Sequence, residues 1–158
     1  MEAARFDRRI LIQRGVNARE IEVSVLGNDA PEASIPGEII PSREYYSYEA
    51  KYVDGASELL IPAPIPEATA QLARQIAVQA FKVIDCQGMA RVDFLLDKDN
   101  GELYLNELNT IPGFTSISMY PKLWEACGLS YPKLVDRLID LALERKADCQ
   151  KTEYRYVR

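Results

Sequence analysis

The stretch RVDFLLDKDNGELYLNELNTIPGFTSIS, residues 91–118, decides how the rest of the chain is interpreted. It contains two apolar runs with a period of two, MARVDFLL and ELYLNELN, which predict neighbouring β-strands. The DKDNG segment between them begins like a calcium-binding loop, but Leu108 stands at the twelfth position, where a bidentate glutamate is required. We therefore predict a hairpin turn, with Asn100 or Gly101 at positive φ.

Four polar residues lie at alternating positions on these two strands. Arg91 and Asp93 are separated by one residue, as are Glu107 and Asn109, so each pair should lie on one face of the sheet. The chain has no histidine, and oxygen ligands without nitrogen suit a hard cation such as Mg²⁺. The pattern therefore predicts a metal site at Asp93, Glu107 and Asn109 beside the charge of Arg91. A surface group of ion pairs is the alternative.

The composition excludes several classes of protein. With 158 residues, 47% of them hydrophobic and 27% charged, the chain is typical of one globular domain. A net charge of −5 argues against a nucleic-acid partner. The three cysteines have no CxxC spacing and predict reduced thiols. No apolar run approaches the ~20 residues that span a bilayer, so the sequence predicts a cytoplasmic protein that does not enter the membrane.

Upstream, RRILIQRG (residues 8–15) and REIEVSVLGN (residues 19–28) predict a pair of strands that form a hairpin-like unit. Alternation along the second run places Ile21, Val23 and Val25 toward the core. Glu20 and Glu22 then point the other way, and the pattern alone favours a solvated face for both carboxylates. Short extended pieces are expected at residues 30–41 and 58–61.

Three helices are predicted after these strands. The first covers residues 67–86, the second residues 121–127, and the third begins after Ser130 and ends near Arg145. Apolar residues at helical spacing indicate the first and third of them: Leu72, Ile76, Ala80, Val83 and Ile84, then Leu134, Val135, Leu138, Ile139 and Leu141.

Residues 42–57 have no regular period and contain four tyrosines together with Lys51. Long irregular segments within compact domains are often functional lids, and aromatic packing at the surface is the alternative. The order of elements predicts an α+β fold, a mainly antiparallel sheet covered by helices that are segregated to one face. We expect one domain over residues 1–146 and a frayed tail over residues 147–158.

Three separate segments resemble one known family. YEAKY at residues 48–52, RVDFLLD at 91–97 and LNELNTIPGFTSIS at 105–118 are similar to the C-terminal part of the D-alanine–D-alanine ligase family, within the ATP-grasp superfamily. The resemblance extends from about residue 10 to residue 145, with the motifs in the same order and spacing. It implies the C-terminal subdomain of the ATP-grasp fold.

The resemblance also implies roles for individual residues. Two Mg²⁺ ions, for which Mn²⁺ could substitute, would be held by Asp93, Glu107 and Asn109, with Glu107 between the ions. Arg91 and the backbone of Gly113 would stabilise a tetrahedral intermediate. Ser118 and the Met119 backbone would bind the carboxylate of the second D-alanine. Lys51 and Tyr52 would belong to a lid over the phosphate and substrate. Glu20 would bind the ribose hydroxyls of ATP, and Gln13 to Val16 would bind adenine. Gln13 stands where many members of the family have glutamate.

The activity implied by the resemblance is an ATP-dependent ligation. ATP would phosphorylate the carboxylate of one D-alanine, and the amine of a second would attack the acylphosphate, which gives the dipeptide used in peptidoglycan. The family's N-terminal domains have no counterpart here, so we expect the isolated chain to be weakly active or inactive. Apolar surface exposed for want of those domains would favour a homo-oligomer. Two alternatives are another ATP-grasp carboxylate–amine ligase and a non-catalytic module that binds nucleotide or a partner chain.

Overall fold

The computed structural model describes residues 2–40, 58–115 and 117–153. Within these ranges the chain forms an antiparallel sheet with helices packed against it, which confirms the predicted α+β class. The strands are β1 (Ala18–Gly27), β2 (Glu32–Ala33), β3 (Gly37–Ile40), β4 (Glu58–Leu60), β5 (Gly88–Asp97) and β6 (Leu103–Asn109). The α-helices are α1 (Glu67–Val83), α2 (Met119–Ala126) and α3 (Tyr131–Cys149), and a 3₁₀ turn covers Glu2–Arg5.

The sheet is built around the pairing of β1 with β5. The strand order is β4-β3-β1-β5-β6, and the short β2 also pairs with β1. Every residue of β1 has a partner on β5, from Ala18 opposite Asp97 to Gly27 opposite Gly88. The hairpin between β5 and β6 closes as predicted, because Gly101 has a φ of +74° and its N–H donates to the Asp97 carbonyl at 2.9 Å.

The predicted strand at residues 8–15 is wrong. In the described structure this segment has no strand partner, because β1 is paired along one edge with β5 and along the other with β2 and β3. Leu11 is 80% exposed. The segment instead runs past the β5–β6 turn, where the Lys98 N–H donates to the Asn17 carbonyl at 2.9 Å.

Helix α1 covers one face of the sheet. Ile21, Val23 and Val25 are fully buried beneath it, as their alternation predicted. The buried stripe of the helix is nevertheless Ala73, Ala77 and Phe81, and only Ile76 of the predicted stripe packs against this core. The prediction failed because small alanines give a weak apolar signal although they let a helix approach a sheet closely. The predicted positions Leu72, Val83 and Ile84 are exposed, and the helix ends at Val83 rather than at residue 86.

Helices α2 and α3 lie on the opposite face, so the predicted segregation of helices to one face is wrong. Leu26 of β1 packs with Tyr120 and Trp124 of α2, and with Leu134 and Leu141 of α3. Alternation along β1 places Leu26 on the face opposite Ile21, Val23 and Val25. Helices α2 and α3 cover the end of this face near Gly27, and Met119 and Leu123 of α2 also pack against Ile39 on β3.

Helix α3 is longer than predicted. It continues to Cys149 and so includes the first residues assigned to the tail, while residues 154–158 lie outside the described part of the chain. Leu134 and Leu141 are buried, whereas Ile139 is exposed. All three cysteines are free thiols, as predicted. In the described ranges, no helix is both long and apolar enough to cross a membrane.

The packing of α1 can be tested at Phe81, its largest buried residue. Phe81→Ala should lower the free energy of unfolding by about 3–5 kcal/mol, because it empties a fully buried aromatic site. Val83→Ala on the same helix is the control, since Val83 is 85% exposed and its truncation should change stability by less than about 0.5 kcal/mol. Urea unfolding followed by circular dichroism measures both. Equal losses would contradict the burial of Phe81.

Candidate functional site

The polar side chains form two rows across the same face of the sheet as α2 and α3. The first row runs from Glu22 on β1 through Asp93 on β5 to Glu107 on β6. In the second row, Ser24, Arg91 and Asn109 stand opposite one another on the same strands. Arg91, Asp93, Glu107 and Asn109 therefore share one face of neighbouring strands, as the alternation predicted. A register irregularity follows directly, between Asp93 and Phe94.

Arg91 is the charged centre of these rows. Its Nε and a terminal nitrogen each donate to one oxygen of Asp93 at 2.7 Å, in a two-point pairing. Glu22 lies on the other side, with its Oε2 3.3 Å from Arg91 Nε. Burial acts to lower the pKa of Arg91, but the Asp93 hydrogen bonds and the charges of Glu22, Asp93 and Glu107 outweigh it and raise that pKa. The guanidinium therefore stays charged at every physiological pH.

The oxygen donors suit a hard cation in their chemistry. Asp93 and Glu107 stand opposite each other on adjacent strands, and Asn109 lies two residues beyond Glu107 on β6. Among the described residues no group of three or more His, Cys, Asp or Glu side chains is placed to hold a metal ion. Mg²⁺ commonly takes only one or two carboxylates and completes its shell with water and phosphate oxygens, which this donor set permits. Both Asp93 oxygens, however, already accept hydrogen bonds from Arg91.

The loop before α2 borders the second row. The Phe114 ring packs against Tyr120 and Tyr131, with ring centroids 5.9 and 5.3 Å apart, and Tyr131 Oη donates to the Phe114 carbonyl. Ser118 Oγ accepts from the Thr115 N–H at 3.0 Å. A Cβ at residue 113 would lie 2.9 Å from that same Oγ, so a larger residue there would displace the Ser118 hydroxyl. Gly113 and Ser118 are therefore neighbours in this loop.

Two hydrogen bonds hold α2 in place against β1. Tyr120 Oη donates to the Val25 carbonyl at 2.9 Å, and Ser24 Oγ donates to the Tyr120 carbonyl at 3.3 Å. Ser118 precedes the helix and Met119 is its first residue. The Met119 side chain is buried against Ile39 and Leu123, so only its backbone N–H, at the start of the helix, is suited to a ligand.

The residues predicted for nucleotide binding lie toward the opposite end of the face. Glu20 is half-buried and stands opposite Leu95, which pairs in turn with Tyr104. Gln13 is exposed and Val16 is partly buried, both just before β1. Next to Gln13, Arg14 reaches β6 by donating to Tyr104 Oη at 3.0 Å. Lys51 and Tyr52, predicted for the lid, lie outside the described residues.

The sequence pattern missed Glu22. A solvated face was expected for it, but Glu22 is only 5% exposed and contacts Arg91. Alternation did place it on the same face of β1 as Glu20 and Ser24. What the pattern lacked was the β1–β5 register, which sets Glu22 directly opposite Asp93.

This arrangement can be compared with known proteins. The family model described as "D-ala D-ala ligase C-terminus" matches residues 1–140. The chain belongs to this family. It is 60% identical over 144 residues to the D-alanine–D-alanine ligase of Clostridium acetobutylicum, a match that covers 91% of the chain and 42% of that relative.

Solved structures agree with this family assignment. The D-alanine–D-alanine ligase from Coxiella burnetii superimposes with a TM-score of 0.81 and 45% identity, over 95% of this chain and 39% of that one. A D-Ala:D-Ser ligase from Enterococcus faecalis gives a TM-score of 0.70 and 36% identity, over 81% of this chain and 37% of that one. This member of the ligase family thus spans about two fifths of the length of the relatives that it matches.

The contribution of the Arg91 ion pairs with Glu22 and Asp93 can be tested by measuring the free energy of unfolding. Arg91→Met should lower the free energy of unfolding by about 3 kcal/mol, because it leaves Glu22 and Asp93 as buried or part-buried carboxylates with their shared cation removed. Arg137→Met is the matched control, since the Arg137–Glu144 ion pair is exposed on α3 and should contribute less than about 1 kcal/mol. Thermal unfolding of both variants measures the difference, and equal destabilisation would refute the central position of Arg91.

Proposed function

We propose that this chain is the C-terminal part of an ATP-dependent ligase that joins two D-alanine molecules. The observation that carries the proposal is the polar face, where Arg91 stands opposite Asn109 and Asp93 opposite Glu107 on β5 and β6. The family to which the chain belongs, and the names of the relatives that it matches, support this reading.

The order of residues along the face supports a direction for the nucleotide. Glu20 and the segment from Gln13 to Val16 lie at one end, where we propose that they bind ribose and adenine. Glu20 precedes Ser24, which stands opposite Arg91, by four residues, about 13 Å along a strand. The phosphates would therefore lie over the rows that contain Asp93 and Arg91. Lys51 and Tyr52 are proposed for the lid over them.

The proposed reaction has two steps. The γ-phosphoryl group of ATP passes to the carboxylate of the first D-alanine, which gives an acylphosphate and ADP. The amine of the second D-alanine then attacks the acyl carbon, inorganic phosphate leaves, and the amine loses a proton. The product is the D-alanyl-D-alanine dipeptide, which serves peptidoglycan synthesis.

The chain's own residues would contribute charge and position to both steps. Asp93, Glu107 and Asn109 would hold one or two divalent cations, Mg²⁺ or Mn²⁺, which when bound neutralise phosphate oxygens. Arg91 keeps its charge in a half-buried site and would stabilise the oxyanion of the tetrahedral intermediate together with the Gly113 N–H. Ser118 Oγ and the Met119 N–H, at the start of α2, would bind the carboxylate of the second D-alanine.

The activity can be tested by restoring the length that the relatives have. A chimera would join the part of the Clostridium acetobutylicum ligase that precedes its matched region to this chain. We expect the chimera to release phosphate from ATP in a D-alanine-dependent reaction with Mg²⁺ and to form the dipeptide, while the 158-residue chain alone is far slower. Turnover by the chain alone at the rate of the chimera would contradict the need for further domains.

Acceptor specificity and the alternatives are separated in the same assay. D-Serine, D-lactate and L-amino acids should be poorer second substrates than D-alanine, and preference for one of them would indicate another ATP-grasp ligase. A chimera without turnover, together with Mg²⁺-dependent binding of a non-hydrolysable ATP analogue in calorimetry, would favour a non-catalytic module.

A substitution tests the assignment of Glu107. Glu107→Gln in the active chimera should lower kcat about 100-fold while the fold stays intact, because the amide cannot supply negative charge to a metal ion. Asp140→Asn is the control, since Asp140 is exposed on α3, away from the polar rows, and its change should leave kcat unaltered. An unchanged kcat for Glu107→Gln would contradict its role.

A further inference from the structure

Glu22 is a buried carboxylate for which the proposed reaction has no role. It is 5% exposed, stands opposite Asp93 in the β1–β5 register, and has its Oε2 3.3 Å from Arg91 Nε. A buried carboxylate is costly unless a partner compensates its charge. Its contact with Arg91 at the centre of the site therefore suggests a function beyond packing.

Arg91 and a metal ion would share the oxygens of Asp93. Both oxygens of Asp93 accept hydrogen bonds from Arg91 at 2.7 Å, while Asp93 is also a proposed metal ligand. A cation at Asp93 draws on the same negative charge and repels the guanidinium, so it weakens these hydrogen bonds. The Arg91 side chain is 19% exposed, so a guanidinium deprived of its partner there would be unfavourable.

We propose that Glu22 is a positioning residue. It holds the Arg91 guanidinium in place when Asp93 coordinates a divalent cation. Arg91 Nε lies 2.7 Å from Asp93 Oδ1 and 3.3 Å from Glu22 Oε2, so only a small movement transfers its hydrogen bond from one carboxylate to the other. Arg91 then keeps its place in the polar row and its charge toward the substrate. The inference rests on the proposed function for Asp93 as a ligand.

The sheet supplies a matched control for Glu22. Glu38 on β3 is also buried and pairs with Arg19 through two 2.7 Å hydrogen bonds. It stands opposite Ile21, so its side chain lies on the α1 face, away from Asp93. Glu22→Gln and Glu38→Gln each remove one buried carboxylate charge from an arginine pair, but only the first of them lies in the site.

The test is a Mg²⁺ titration of the 158-residue chain followed by ¹⁵N NMR, which reads metal binding without activity. Glu22→Gln should weaken Mg²⁺ binding about tenfold, as removal of partners that orient metal ligands commonly does, while Glu38→Gln should leave it unchanged. In the unsubstituted chain the Arg91 Nε–H resonance should move to a new, sharp position on Mg²⁺ addition. In Glu22→Gln it should broaden, because the guanidinium has lost its second partner.

A double-mutant cycle separates positioning from direct attraction of the metal. In an Arg91→Gln background, Glu22→Gln should weaken Mg²⁺ binding much less than it does when Arg91 is present. An equal or larger loss in that background would mean that Glu22 acts on the cation itself and would overturn the proposal. Glu22→Asp keeps the charge with a shorter reach, and a Mg²⁺ affinity equal to that of the unsubstituted chain would also overturn it, even if Glu22→Gln does not fold.

The two proposals fail in different ways. If the unsubstituted chain binds no Mg²⁺ at Asp93, the metal assignment of the proposed function is wrong and this inference falls with it. If the chain binds Mg²⁺ and Glu22→Gln behaves like Glu38→Gln, only the positioning role is refuted.

Discussion

The pairing of β1 with β5 along their whole length is the constraint on which the rest of the structure depends. It brings Glu22 opposite Asp93 and Ser24 opposite Arg91, although these residues are about 70 positions apart in the chain. It also occupies one edge of β1 while β2 and β3 occupy the other. The preceding apolar segment consequently has no strand to join. A one-residue slip of β1 against β5 would move Glu22 and Ser24 to the face opposite Asp93 and Arg91.

Coverage of the two faces explains why a polar site can exist on a central strand. Helix α1 buries the aliphatic face of β1 through Ala73, Ala77 and Phe81. Helices α2 and α3 cover the opposite face near Leu26, and α2 also packs against Ile39 on β3. The remaining surface stays polar, and Arg91 compensates the carboxylates that the sheet brings together there. The same packing places the start of α2 next to the loop that contains Gly113.

Local patterns predicted the elements better than their surroundings. The hairpin at residues 91–109 was predicted correctly because a strict period of two and a turn with a suitable glycine are local signals. The failures at Leu11, Val83 and Ile139 share a physical cause. An apolar side chain is buried only where another element covers it, and partner elements are set by contacts that are distant in sequence.

The sequence by itself determined the class of fold, the shared face of Arg91, Asp93, Glu107 and Asn109, and the resemblance to the ligase family. Each of these follows from alternation or from a short motif, and so from residues close together in the chain. Only the tertiary structure decided that Glu22 is buried against Arg91 and that Arg91 pairs with both oxygens of Asp93. Those facts depend on strand register and on burial, which long-range pairing creates.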